Sequence, residues 1–183
     1  MSPSGNAADT PVHLRSFEAL FRHSLAPKGE LLERLRRAGY DPDRPKGSYP
    51  TRVYKECLDI ARRHLFGELA EEEGWRRLGH VWVSGFEQTV VGKVLAAAAR
   101  MMGTDRCLAR LPTYVRAGRE DHEVDGHPIG PRAWRIVMKD PHRPLPHLTK
   151  GVLEAIVRLT GQPEPAVTLE RVDGPQYELH VRW

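Results

Sequence analysis

The sequence predicts an α/β fold of the α+β type, in which a helical N-terminal half packs with a small antiparallel sheet and a C-terminal β-α-β-β unit closes the chain. Three observations predict it. Apolar residues recur at helical spacing from Leu14 to Met102. After Pro112, at Thr113–Arg116, the period switches to short strand-like runs. The last two runs, Val167–Val172 and Tyr177–Trp183, alternate apolar and polar residues around Asp173-Gly174-Pro175, as a hairpin with one wet face does.

The elements follow in order. Residues 1–12 are polar and rich in small residues with no apolar period, so they are expected to be a flexible tail ahead of a single α+β domain over 13–183. Leu14, Phe17, Leu20, Phe21 and Leu25 keep a helical spacing that Pro27 ends; Leu31, Leu32 and Leu35 start a second helix, with Gly39 as its stop. Residues 40–50 carry three prolines and read as an ordered loop. Pro50 opens a helix that buries Val53, Cys57, Ile60, Ala61 and Leu65, and Gly67 closes it. Residues 68–102 are helical in pattern; Gly79, Ser84, Gly85 and Gly92 weaken a helix interior, so close packing or a kink is expected there. A short helix over 105–111 stops at Pro112, and Thr113–Arg116 turns strand-like. Residues 134–139 form a strand and 148–160 an amphipathic helix capped by Gly161, and the hairpin follows.

Composition narrows the function classes. The 183 residues are 40% hydrophobic and 28% charged, which is ordinary for a globular chain rather than a disordered one. A net charge of +4 comes from acids and bases interleaved along the chain, with no one-sided basic stripe, so nucleic acid is not an expected partner. Cys57 and Cys107 form no paired motif, the start lacks a secretory signal, and the Val90–Met102 stretch is too short and too charged to span a membrane. A cytoplasmic location is expected.

Two groups of motifs carry a resemblance. Leu35-x3-Gly39-Tyr40-Asp41, Tyr49-Pro50, Arg77-Leu78-Gly79-x5-Gly85-Phe86-x2-Thr89-x2-Gly92 and Leu108-x2-Leu111-Pro112 together resemble a paralogous myxobacterial family of unknown function, over most of residues 14–183. Trp134–Met138, Gly151–Ile156 and Val167–Trp183 are similar to the closing half of the ligand-binding fold shared by haem-nitric-oxide-binding domains, 4-vinyl-reductase-type domains and Golgi-transport tethering subunits. That resemblance implies helices around an antiparallel sheet, often with a buried apolar pocket, and transfers no activity by itself. Haem sensors of this fold hold iron through a histidine on the helix ahead of the sheet, and none lies in Arg106–Asp121. Their Tyr-x-Ser-x-Arg clamp would fall near Met138–Arg143, where only the arginine is present. No cofactor is expected.

The remaining candidates are weighed against plain structure. Asp121-His122-Glu123-x-Asp125-x-His127, and His142 with His147, have metal-ligand chemistry, yet both read as solvated loops, and no metal site is assigned. His80 reads as a histidine bonded to a neighbouring carboxylate or backbone group, and His64 as a charge at a helix C-terminus. Cys57 and Ser84 lack a nucleophile elbow and an identifiable base, and Gly126–Gly130 lacks the lysine and helix of a phosphate loop. An enzyme is not expected. Trp75, Trp82, Gly85, Phe86 and Thr89 share one helix face, and with the inner side of Ile136 and Met138 they are the expected lining of a ligand pocket or an interface. The leading expectation is a non-enzymatic regulatory or protein-interaction module, working through a protein partner or through self-association as a homodimer. The second is a sensor domain that binds a small apolar ligand in a helix–sheet cavity.

Overall fold

The structure is a computed structural model that describes residues 10–183. It starts with a short strand, β1 (Pro11–His13), which pairs antiparallel with β2 (Ser48–Pro50), Val12 lying opposite Tyr49. Residues 11 and 12 therefore belong to the fold and not to the expected tail; Val12 is fully buried. Three residues are too few to show a strand's alternation, so composition alone misplaced them. The rest of the expected tail lies outside the described residues apart from Thr10, whose carbonyl accepts from Thr51 N at 3.0 Å.

Helix α1 (Leu14–Phe17) runs on as a wide π-type turn over Glu18–Leu25 and ends at Ala26, which is left-handed at φ 41°. Helix α2 (Gly29–Arg37) stops before Gly39, whose φ of +100° suits glycine. Helix α3 (Thr51–Phe66) begins after Pro50, as the sequence predicts. These elements enclose the first apolar cluster, centred on Phe17, whose ring centroid lies 4.7 to 4.9 Å from those of Tyr40, Tyr49 and Tyr54.

The long helix expected over 68–102 is two helices, α4 (Glu71–Gln88) and α5 (Val90–Met102). Thr89 between them is extended, and its hydroxyl accepts from Gly92 N at 2.9 Å, capping α5. The small residues have two separate uses. Gly92 sits in this cap, where a Cβ would crowd the Phe86 carbonyl; Gly79 and Gly85 are contact points, where a Cβ would meet the backbone of α8 (Pro146–Leu159) and of Ala19. Helix α6 (Thr104–Ala109) follows, and then α7 (Leu111–Gly118) occupies the stretch expected to turn strand-like. Pro112 stands in the first turn of α7, where its missing N–H is harmless, so it starts a helix where it was expected to stop one.

Strands β3 (Glu123–Gly130), β4 (Ala133–Lys139), β5 (Ala166–Asp173) and β6 (Gln176–Arg182) form one antiparallel sheet in the order β3-β4-β6-β5. The terminal hairpin and the strand-helix-strand-strand order are as the sequence predicts. Ile136, Met138, Leu179 and Val181 point from the sheet into a second apolar cluster, with Leu108 of α6 and Leu153 and Val157 of α8. Helix α4 packs most extensively on α8 and links the two clusters. Among the described residues no helix is long and apolar enough to cross a membrane.

Candidate functional site

Six ionisable side chains meet where the helical half abuts the sheet half. Lys55 projects from α3 beside Tyr54; its Nζ contacts Asp140 Oδ2 and donates to the Arg143 carbonyl at 2.7 Å. Asp140 follows β4 directly and is anchored by its N–H donating to the Pro175 carbonyl at 2.9 Å. Its Oδ1 accepts from His142 N at 3.1 Å, which fixes the turn into the proline loop. Arg119, one residue past α7, grips Asp121 with two hydrogen bonds of 3.1 and 2.7 Å and reaches Asp140 Oδ1 at 3.3 Å. His122 Nε2 lies 3.1 Å from Asp140 Oδ2, and His142 Nε2 lies 2.9 Å from Asp121 Oδ2. Both ring nitrogens are buried and lie close to those oxygens, but neither is aligned for a good hydrogen bond.

The six side chains are only 3% to 15% exposed, so their charges are hardly screened by water. Two cations face two carboxylates, and the set is neutral before either imidazole gains a proton. Burial pushes the Asp140 carboxyl up, but the His122 contact and the Lys55 charge outweigh it and hold the group well below the ordinary carboxylate range. Burial likewise raises Asp121, and the Arg119 hydrogen bonds bring it below its usual value. Burial pulls the Lys55 ammonium down to about 8, against the opposing attraction of Asp140. Burial also pushes Tyr54, at the edge of the network, up to about 12.

A second polar contact locks α4 to α8. Glu154, almost fully buried on α8, accepts from Arg76 Nε at 2.8 and 3.0 Å and lies 2.8 Å from His80 Nε2. Arg158 meets the other ring nitrogen of His80 at 3.2 Å. His80 is thus the carboxylate-bonded histidine that its sequence context predicts. Burial raises Glu154, and His80 and then Arg76 more than offset it, so the carboxyl is held low.

The residues expected to line a pocket are distributed as follows. Trp75 lies in the first cluster with Arg62 and Arg143 over its ring, at 5.2 and 5.8 Å from the centroid, and donates to Glu71 Oε1 at 3.1 Å. Trp82 and Phe86 stack with centroids 5.6 Å apart, and Trp82 Nε1 donates to the Ser16 carbonyl at 3.2 Å. Gly85 contacts the Ala19 backbone and Thr89 caps α5. Ile136 and Met138 belong to the other cluster. Two open surface clefts lie on the described residues, about 490 Å³ beside Arg34, Arg37 and Arg52 and about 400 Å³ beside Glu71, Trp75 and His147. Only Trp75 of the expected set lines one of them.

Asp121, His122 and His142 were expected in solvated loops and are instead in the buried network; His127, half-buried, and Asp125, exposed, stay outside it at a 3.7 Å separation. The correction follows from Arg119 and Asp140, buried charges that no local pattern links to the histidines. Among the described residues no group of histidines, cysteines and carboxylates is arranged to hold a metal ion. Cys57 is buried with its thiol pushed up to about 12 by desolvation, and Ser84 is exposed on α4. Gly126–Gly130 lies in β3.

A family model described as "Protein of unknown function (DUF2378)" matches residues 11–183. The chain belongs to that family. No curated protein matches. Solved structures do. The Fe(II) unliganded H-NOX protein from K. algicida has a TM-score of 0.66 at 12% identity, covering 93% of this chain and 95% of that one. A Cs H-NOX mutant carrying 4-cyano-L-phenylalanine gives 0.65 at 14% identity, covering 92% of each chain. A mutant H-NOX of T. tengcongensis gives 0.60 at 15% identity, covering 83% of this chain and 85% of that one. At these identities the likeness shows the fold: this DUF2378 chain has the architecture of an H-NOX domain, matching the haem-nitric-oxide-binding resemblance of its C-terminal half.

Proposed function

We propose that this DUF2378 protein is a non-enzymatic sensor domain that receives a small polar ligand at the junction between its helical half and its sheet. The fold likeness to H-NOX proteins supports a ligand sensor more than a bare interaction module. The observation that carries the reading is the pair of buried imidazole nitrogens, His122 Nε2 and His142 Nε2, left without an aligned partner in an otherwise hydrogen-bonded ion network. Buried polar atoms of this kind are few in folded proteins, and here they leave bonding capacity at a place where the two clusters meet through charges. A ligand bearing an anionic or acceptor group competes with Asp140 and Asp121 for Lys55, Arg119 and both imidazoles. Its arrival loosens the tie between α3 and the β4–α8 loop and moves the two clusters relative to each other.

Haem, named for one solved structure of this fold at a TM-score of 0.58, does not fit the residues present. Helix α7, ahead of the sheet, runs Leu111-Pro-Thr-Tyr-Val-Arg-Ala-Gly118 with no histidine, and the junction is filled by the ion network. Trp75, Trp82 and Phe86, which the sequence offers to an apolar ligand, are taken up by Arg62, Arg143 and one another, which supports a polar ligand over an apolar one.

Native mass spectrometry of the freshly purified chain, beside its denatured mass, tests the reading. A non-covalent mass retained by the wild type and lost in His122→Ala or Arg119→Met supports it. A bare protein whose amide spectrum responds to a panel of small anions only at surface positions refutes it.

A further inference from the structure

Helix α5 is apolar on its outward face as well as on its inward one. Gly92, Ala96 and Ala99 are buried, with Leu95 and Met102 half-buried beside them, while further large apolar side chains point outward: Val90 is 82% exposed, Val94 65% and Met101 89%. With exposed Ala97 these positions form a stripe spaced four, three and four residues apart, the spacing of a coiled-coil seam. Val91, 56% exposed, widens the stripe. A helix that only needed to cover its own core would not also carry an apolar stripe on its solvent side. The two charged side chains of α5, Lys93 and Arg100, are seven residues apart along one flank of the stripe, and the helix has no acidic residue. Arg100 approaches Glu87 only to 3.7 Å, in an exposed contact.

We infer that α5 is a docking surface for an amphipathic helix of a partner protein, one with an apolar heptad seam flanked by acidic side chains. The charge pattern favours that occupant over a second copy of this chain. An antiparallel copy would set Lys93 against Arg100 of the other molecule, a like-charge contact made twice along the same side of the seam. A parallel copy would face Ala97 with Ala97 and offer Lys93 only Ala98. Glutamates at the flanks of a different helix answer both cations and leave the seam to bury Val90, Val94 and Met101. This proposal does not depend on any ligand at the junction.

Calorimetric titration of the full chain with two synthetic peptides of about three heptads tests it, both with leucine at the seam and one with glutamate, the other with lysine, at the flanks. The glutamate peptide is expected to bind, more weakly as salt rises, and the lysine peptide at least ~10-fold more weakly. Val94→Asp and Met101→Asp should each lose ~10-fold or more while leaving thermal unfolding unchanged, because both sites are exposed. Equal binding of the two peptides, or binding of neither, overturns the inference. So does a wild-type dimer in light scattering that Val94→Asp dissociates, which would assign the face to a second copy. Sedimentation with phosphatidylserine vesicles, abolished by Val94→Asp in the absence of peptide preference, would assign it to a lipid surface.

Discussion

Gly151→Ala tests the contact that ties the two halves together. In an isolated helix the change is favourable by about 1 kcal/mol, because alanine loses less backbone entropy than glycine. On α8 it should be unfavourable. A Cβ at Gly151 would lie 2.8 Å from the Arg76 carbonyl carbon and nearer still to its oxygen, whereas ordinary contact begins at 3.4 Å. Helices α4 and α8 would have to part by at least 0.6 Å, and neither partner is a side chain that can swing aside. Overpacking of this kind costs about 1–3 kcal/mol, and a clash with rigid backbone belongs at the upper end. After the propensity gain, about 2 kcal/mol of net destabilisation remains, which lowers Tm by about 4–8 °C in a chain of this length. Separation would also strain the Arg76–Glu154–His80 contacts. Thermal and urea unfolding of the variant measure the effect; an unchanged or raised Tm would show that α8 does not approach α4 at this distance.

Lys55→Met leaves Asp140 in the junction without its ammonium partner and should cost about 3–5 kcal/mol, as the removal of one member of a buried ion pair does; a loss under 1 kcal/mol in urea unfolding would refute a buried network. Stability should be level from neutral pH down to about 5 and fall progressively below about 4. Asp140, Asp121 and Glu154 are held below their unfolded values, so each stabilises the fold above its unfolded pKa and loses that contribution as pH drops through its folded one. An Asp140→Asn variant should show a shallower acid decline, measured by thermal melts across pH. Both thiols are buried and raised by desolvation, so neither Cys57 nor Cys107 should react with a thiol reagent at pH 8 until denaturant is added.

The terminal hairpin and α8 were legible in the sequence because their apolar positions repeat over more than six residues and end at glycines that only turns require. Strand β3 was not, since Glu123-Val-Asp-Gly-His-Pro-Ile-Gly130 has the composition of a loop and is a strand only through its ladder to β4. The break at Thr89 follows from a side-chain cap, a local bond that a period search does not register. The histidines were visible, but their partners were not. Lys55 and Asp140 are 85 residues apart, and nothing local in either segment marks them as a pair. The exposed apolar stripe of α5 was hidden for the opposite reason, because a run of alanine and valine has the same pattern whichever side faces the core.

The strand order carries a consequence for how the chain is made. Strand β6 lies between β4 and β5, so β5 has no hydrogen-bonding neighbour and β4 has a bare edge until residues 176–182 exist. The ribosome still covers this C-terminal stretch while it is being made, so α8, β5 and β6 become free to pack only as the last of them leaves the exit tunnel. Until then the edge of β4 that β6 will cover, with Trp134, Ile136 and Met138 on the strand, is open to the wrong partner. The centre strand, last to be made, is thus the one that closes the sheet, and a change that weakens its pairing with β4 should raise aggregation more than an equal change in the helical half.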